Sequence, residues 1–282
     1  MKFFLFMLCG LFSVKAVSQE TRYLYPDEPI VSPDTTLGYG GLVLIERTNA
    51  PFLRIYRPPK VQPVRGAVLI CPGGGYSVLA IHHEGDDVAK WLASEGYLAM
   101  VLGYRLPKEL GRKNSTYPLP IEDVLKGLNI SRKILTEYNV PDDKLALMGF
   151  SAGGHLAAMG TCLAAPPDRP DATLLMYPVI SFVEPHAHAG SRQALLGDRP
   201  ELYAAYSPEL LADTLHPPTL FVHATDDAGV PLANSLHYAT RLQALGTSVG
   251  LYLPERGGHG FGMRRDLEWR EVLLAWLGRM GW

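Results

Sequence analysis

From residue 66 to the C terminus the sequence alternates short apolar runs with amphipathic helical stretches. Ala67–Cys71 is apolar throughout and stops at Pro72-Gly73. A run without polar alternation suits a strand buried on both faces. Comparable runs occupy 97–102, 144–150, 173–177, 219–223 and 249–253. Between them, Val88, Trp91 and Leu92 recur at helical spacing ahead of Gly96. Ile121, Val124, Leu125, Leu128 and Leu135 mark a longer helix with Pro120 in its first turn. Helices are also expected over 151–163, 232–245 and 265–277, the last with an apolar stripe of Trp269, Val272, Leu273, Trp276 and Leu277. This order predicts an α/β fold in which a single domain carries a mostly parallel central sheet with helices on both faces. In such sheets function gathers at the C-terminal ends of the strands.

The domain is expected over 41–282. It opens with two strands, 42–47 and 53–56, antiparallel to one another. Residues 19–40, rich in Pro, Asp, Thr and Gly, read as an irregular lead-in, and 181–216 breaks the rhythm as an excursion over one end of the sheet. Residues 1–18 read as a secretory signal peptide: Lys2, an apolar stretch from Phe3 to Val14, then Ala16-Val17-Ser18 as the small-residue cleavage pattern. Cleavage leaves Gln19 first and implies a secreted or periplasmic protein. An apolar run of about 12 residues is too short to span a bilayer comfortably, and no later segment is long and apolar enough. With 26 Lys plus Arg against 28 Asp plus Glu, the chain lacks the large basic footprint of a nucleic-acid partner. Three Cys are too few for a disulfide scaffold, and Cys71 and Cys162 read as buried free thiols.

The chemistry concentrates at three places. Gly149-Phe150-Ser151-Ala152-Gly153 is a G-x-S-x-G placed between an expected strand and an expected helix. The turn is sharp and the serine backbone strained, so neighbours without Cβ are required. With 13 Ser and 28 Gly in the chain, chance supplies roughly 0.1 such motifs. A serine hydroxyl needs a base, and in this architecture the order is serine, acid, histidine. His259, in Gly257-Gly258-His259-Gly260-Phe261-Gly262, follows the last expected strand and is the candidate base. His155 reads as packing beneath the serine, and His223 ends a buried strand ahead of the acid. His186, His188, His216 and His237 lack context, while His82 and His83 come too early. The acid is expected just after the 219–223 strand, where Asp226 and Asp227 are neighbours that spacing alone does not separate. Asp227, four residues before Pro231, is preferred, with Asp226 shaping the turn. The third place is Cys71-Pro72-Gly73-Gly74-Gly75-Tyr76, whose glycines expose backbone N–H groups suited to an oxyanion, alongside the N–H of Ala152. It lacks the Lys-Ser/Thr of a P-loop and does not match G-x-G-x-x-G. The His and Asp residues lack metal-ligand spacing, and the Cys residues stand alone.

With these residues in place, the chain resembles the α/β-hydrolase superfamily over nearly all of 40–282, and within it the secreted bacterial esterases of the acetylxylan-esterase-like kind. The matching pieces are Cys-Pro-Gly-Gly-Gly-Tyr at 71–76, His-Glu-Gly at 83–85, Tyr-Arg-Leu-Pro at 104–107, Gly-Phe-Ser-Ala-Gly-Gly-His at 149–155, Asp-Asp-x-x-Val-Pro at 226–231 and Gly-Gly-His-Gly-Phe-Gly at 257–262. The resemblance implies a triad of Ser151, Asp227 and His259. It implies oxyanion donors at Gly74, Gly75 and Ala152, with Gly74 against Tyr76 left open. It also implies a cofactor-independent esterase acting on acetyl groups of plant polysaccharide or oligosaccharide. Tyr76, Tyr104, Tyr177 and residues 181–216 are placed to shape such a site, with ordinary packing the more expected role for any single one. One departure stands out: where many relatives carry His-Gly-Gly-Gly, Pro72 occupies the His position, so the loop must be anchored differently. An amidase or formamidase would use the same triad. A long-chain lipase is disfavoured by the lack of a clear apolar lid. A prolyl-oligopeptidase-type peptidase is disfavoured because its large N-terminal propeller finds no room here. A non-catalytic binding protein of this fold typically loses a triad member.

Overall fold

A computed structural model describes residues 18–59, 63–107, 118–265 and 267–282. The signal-peptide reading therefore falls, except for Ser18, outside the described residues. The described residues form ten strands: β1 (Ser18–Tyr23), β2 (Asp34–Leu37), β3 (Val43–Arg47), β4 (Phe52–Arg57), β5 (Ala67–Cys71), β6 (Leu98–Gly103), β7 (Leu145–Phe150), β8 (Ala172–Met176), β9 (Thr219–Val222) and β10 (Val249–Tyr252). Eight of them make one sheet in the order β1-β4-β6-β5-β7-β8-β9-β10, while β2 and β3 form a separate pair. Within the eight-stranded sheet the pairings from β6 across to β10 are parallel, while β1 with β4 and β4 with β6 run antiparallel. Every residue of β5, β6, β7 and β8 is buried, as the apolar runs require of strands covered on both sides.

The helices are α1 (Asp87–Ser94), α2 (Leu119–Glu137), α3 (Ala152–Leu163), α4 (Ala189–Leu196), the single turn α5 (Pro208–Leu211), α6 (Ala233–Ala244) and α7 (Trp269–Arg279). Strand alternation sorts them into two layers. Val101 faces the turn that leads into α1 and Phe150 faces α7, and the two helices meet edge-to-face through Trp91 and Trp269 at 5.2 Å. Leu69, Leu102 and Leu147 face the other way, against α2 and α3. The last helix starts at Trp269 rather than 265 because Gly262–Arg264 is taken up by a 3-10 turn. Among the described residues no helix is long and apolar enough to cross a membrane.

Two expectations are corrected at the N terminus. Residues 19–40 are not irregular: they hold most of β1 and all of β2. β1 carries no apolar alternation because it is an edge strand held by charge. Glu20 pairs with Arg22 at 2.6 Å and with Arg57, Tyr138 donates its hydroxyl to Glu20 at 3.0 Å, and Arg22 reaches Glu137 at 2.7 Å. Nor do the strands at 42–47 and 53–56 pair with each other. β3, which ends in the exposed Glu46-Arg47, pairs with β2, and the more buried β4 enters the main sheet between β1 and β6. Glu46 and Arg47 could not be covered on both sides without a large desolvation cost.

The 181–216 excursion contains α4, α5 and two 3-10 turns. It is tied to the body by Asn234, whose Oδ1 accepts the Ile180 and Ser181 N–H groups at 2.9 and 3.0 Å and whose Nδ2 donates to the His186 carbonyl at 3.1 Å. At the far end of β6, Arg105 donates its backbone N–H at 2.8 Å and its guanidinium at 2.5–3.1 Å to Asp123 of α2, a carboxylate with no solvent exposure. Removing one partner of such a pair strands the other charge. Arg105→Ala is expected to destabilise the fold by about 3–5 kcal/mol, read from urea unfolding.

Candidate active site

The end of β7 turns sharply into α3 at Ser151, whose backbone sits at φ 53° and ψ −119°. That conformation is strained for a residue with a side chain. It is held from the neighbouring strand: the Ser151 N–H donates to the Met176 carbonyl at 2.9 Å, and the Val179 N–H donates back to the Ser151 carbonyl at 3.0 Å. The motif's glycines answer to space. A Cβ on Gly149 would collide with the Gly153 carbonyl, and one on Gly153 with the carbonyls of Cys71 and Pro72.

The structure brings Ser151, His259 and Asp227 into one hydrogen-bonded line. Ser151 Oγ lies 2.7 Å from His259 Nε2, and His259 Nδ1 lies 2.7 Å from Asp227 Oδ2. A carboxylate accepts, so Nδ1 carries the proton and Nε2 is left to accept from the serine hydroxyl. This is the tautomer a general base needs. Asp227 Oδ1 accepts the N–H groups of Gly229 and Val230 at 2.8 and 2.9 Å. Its Oδ2 also lies 3.2 Å from His223 Nε2, and the side chain is fully shielded from solvent. Burial pushes the Asp227 carboxyl upward, but the hydrogen bonds from His223, His259 and Val230 outweigh it and hold the group well below the usual carboxylate range.

Asp226 plays a different part. Its Oδ1 accepts the N–H groups of Gly257 and Gly258 at 2.9 and 2.7 Å, pinning the loop that carries His259. The two neighbouring carboxylates, inseparable by spacing, are separated by the direction each one faces. His223, set aside in the sequence as the end of a buried strand, proves to be a partner of Asp227. Its Nε2 also lies 3.1 Å from the Val230 carbonyl and its Nδ1 2.8 Å from Ser235 Oγ, so Nε2 carries the proton and donates. The four-residue separation from Asp227 was the one available signal.

The loop at 72–76 is anchored without the His that Pro72 replaces. Tyr104 donates its hydroxyl to the Pro72 carbonyl at 2.7 Å, and the Gly73 N–H donates to the buried Glu84 at 3.0 Å. Tyr76, at φ 60°, sends its hydroxyl to His155 Nδ1 at 2.7 Å. His155 Nε2 donates to the Tyr206 carbonyl at 2.8 Å and its ring stacks on Phe182 at 4.2 Å. Burial pushes His155 down to about 4, so it stays neutral as this network requires. Gly74 at φ 126° and Gly75 at φ 64° occupy conformations that favour glycine. Among the described residues, the N–H groups of Gly74, Gly75, Tyr76 and Ala152 donate to no protein acceptor. Ala152 is the first residue of α3, where the helix dipole favours negative charge. Cys71 and Cys162 are free thiols, and no three metal-ligating side chains cluster among the described residues.

A mostly parallel sheet with a strained serine at the end of a central strand is the architecture of an α/β hydrolase. The chain belongs to the prolyl oligopeptidase family, whose model matches residues 83–281. The expectation that disfavoured that family's peptidases rested on a missing propeller, whereas the match falls on the parallel sheet and its helices. The chain is 33% identical to the acetylxylan esterase of Xylanibacter ruminicola over 223 residues, 77% of this chain and 45% of that protein. It is 31% identical to endo-1,4-beta-xylanase B of Butyrivibrio fibrisolvens over 230 residues, 76% of this chain and 34% of that protein. It thus spans less than half the length of either relative. Among solved structures, an acetyl ester-xyloside bifunctional hydrolase from Caldicellulosiruptor lactoaceticus superimposes with a TM-score of 0.73 at 33% identity, covering 82% of this chain and 89% of that one.

The division of labour between the two aspartates is open to test with a fluorophosphonate probe that labels an activated serine. Asp227→Asn is expected to slow labelling of Ser151 by about 10³–10⁴-fold through the wrong imidazole tautomer. Asp226→Asn only loosens the loop and should cost less than about 100-fold.

Proposed function

We propose that this protein is a serine esterase that removes short acyl groups, acetyl above all, from polysaccharide or oligosaccharide esters. The reading is carried by one observation: the 2.7 Å contacts that join Ser151 to His259 and His259 to Asp227, beside unpaired backbone amides. Ser151 Oγ attacks the ester carbonyl while His259 Nε2 takes its proton. The oxyanion that forms is held by the N–H of Ala152 and by those of Gly74 and Gly75 in the glycine loop. Collapse breaks the carbonyl–alkoxy bond, and His259 returns the proton to the departing alcohol. Water, deprotonated by the same imidazole, then attacks the acyl-serine and frees the acid and Ser151. Asp227 keeps the imidazole in register and stabilises the imidazolium at each step. Every proton moves between groups already present, so the cycle needs no cofactor.

The similar proteins, an acetylxylan esterase and an acetyl ester-xyloside bifunctional hydrolase, support an acetylated xylan or xylo-oligosaccharide as substrate. Export rests on the N-terminal pattern of Lys2, the apolar stretch and Ala16-Val17-Ser18.

Hydrolysis of p-nitrophenyl esters from acetate to octanoate tests the reaction. Acetate is expected to be preferred, and Ser151→Ala should abolish turnover. Full activity in that variant, or an octanoate preference, would overturn the reading. Expression with the native N terminus should yield exported protein whose first residue is Gln19, and an intact Met1 would count against export.

A further inference from the structure

Of the motifs in the sequence, His-Glu-Gly at 83–85 has no part in the reaction as written. Glu84 nonetheless lies at the centre of the site's framework. It sits in a widened π-type turn, His82–Asp86, where the Asp86 N–H reaches the Ile81 carbonyl at 2.8 Å. Turns of this kind recur at functional sites because they re-aim one side chain. Here the turn drives Glu84 inward until it is only 2% exposed.

Each of its oxygens takes a different partner. Oε2 accepts the Gly73 N–H at 3.0 Å, in the loop that supplies the oxyanion amides. Oε1 accepts the Tyr177 hydroxyl at 2.7 Å. Tyr177 in turn accepts the Gly262 N–H at 2.9 Å, three residues beyond His259. The Tyr177 ring also stands edge-on to His259 at 5.0 Å and to Phe261 at 4.4 Å. The fit is close: a Cβ on Gly73 would come within 2.6 Å of Glu84 Oε2, and one on Gly262 within 3.1 Å of Glu84 Cγ.

We infer that Glu84 is a positioning residue: a single buried carboxylate that holds the oxyanion loop directly and the His259 loop through the Tyr177 hydroxyl, so that amides and base are set relative to one frame. The inference rests on the esterase reading of the same site. Two arguments support it. First, a fully buried carboxylate is expensive, and burial does push this one upward against the opposing pull of Tyr177, Gly73 and nearby His259. A purely packing role would be met more cheaply by an apolar side chain. Second, both partners are donors. A carboxylate offers an acceptor to each, whereas a glutamine offers one acceptor and a misplaced NH₂. The residue type is matched to the task of joining two loops, not to filling space. Productive geometry needs the reacting groups held within about 0.5 Å, and these loops come from opposite halves of the chain.

The test uses the full chain with Glu84→Gln, Tyr177→Phe and the double variant. Competent serine is counted by fluorophosphonate titration, and kcat and KM for p-nitrophenyl acetate are expressed per titrated serine. Each single variant is expected to lose about 10–100-fold in kcat, with KM within about twofold of wild type. Because both act through one connection, the double variant should lose no more than the worse single one. A merely structural role would lower the amount of competent serine or the melting temperature and leave kcat per serine unchanged. That result overturns the inference, as does a double variant whose losses multiply. Tyr177→Phe removes only a hydroxyl and keeps the test valid should Glu84→Gln not fold. If wild type labels at Ser151 yet cleaves no ester, the esterase reading fails by itself. The labelling rates of the same variants then decide the positioning role: slowed labelling supports it and unchanged labelling overturns it.

Discussion

The approach of Gly153 to the carbonyls of Cys71 and Pro72 governs the geometry of the whole site. It brings the first turn of α3 against the loop that leaves β5, with no side chain between them. β5 and β7 are adjacent and parallel in the sheet, with Cys71 beside Gly149, so both strands deliver their turns to the same edge. Gly73 then lies against Ser151, where an added Cβ would come within 3.1 Å of the serine Cβ. The strain at Ser151 is sustained because β8 pairs with β7 on the other side: Met176 of β8 supplies an acceptor and Val179, just beyond it, a donor to that residue. Backbone packing, not side-chain chemistry, sets Ser151 in place.

Around that backbone frame lies a ring of buried polar side chains, each with its partners. Asp227 faces two backbone amides and two imidazoles. His155 joins the Tyr76 hydroxyl to the Tyr206 carbonyl, and Glu84 joins Gly73 to Tyr177. Polar groups buried in this way are costly if left unsatisfied and rigid when satisfied. Tyr104, Glu84 and His155 belong to three different segments, so the loop at 72–76 is held from several directions at once.

Some of this was readable in advance. The strand runs, the helical stripes, the serine turn and the histidine loop are visible because each obeys a local rule of period, sterics or turn chemistry. β1 was not visible, because an edge strand secured by Glu20, Arg22 and Arg57 shows no apolar alternation. The pairing of β3 with β2 was missed because adjacency in sequence favoured β4, while the burial of β4 on both faces drew it into the main sheet. His223 comes ahead of the acid in the chain and so is no candidate base by order, yet its ring faces the Asp227 carboxylate.

The sequence by itself determined the α/β class and marked Ser151, His259 and, in preference to Asp226, Asp227 as candidate residues. Those features depend on spacing over a few positions, which local physics constrains. The tertiary structure alone decided that Asp226 turns to the Gly257 and Gly258 amides while Asp227 faces the imidazole, what steadies the loop at Pro72, and that Glu84 stands between two loops. Glu84 and Tyr177 are 93 positions apart, and Tyr177 and Gly262 are 85 apart. Contacts at that range follow from the order in which strands assemble, β6-β5-β7-β8-β9, which differs from their order along the chain. No local pattern carries that order, because it is set by which buried faces fit together once the whole sheet has formed.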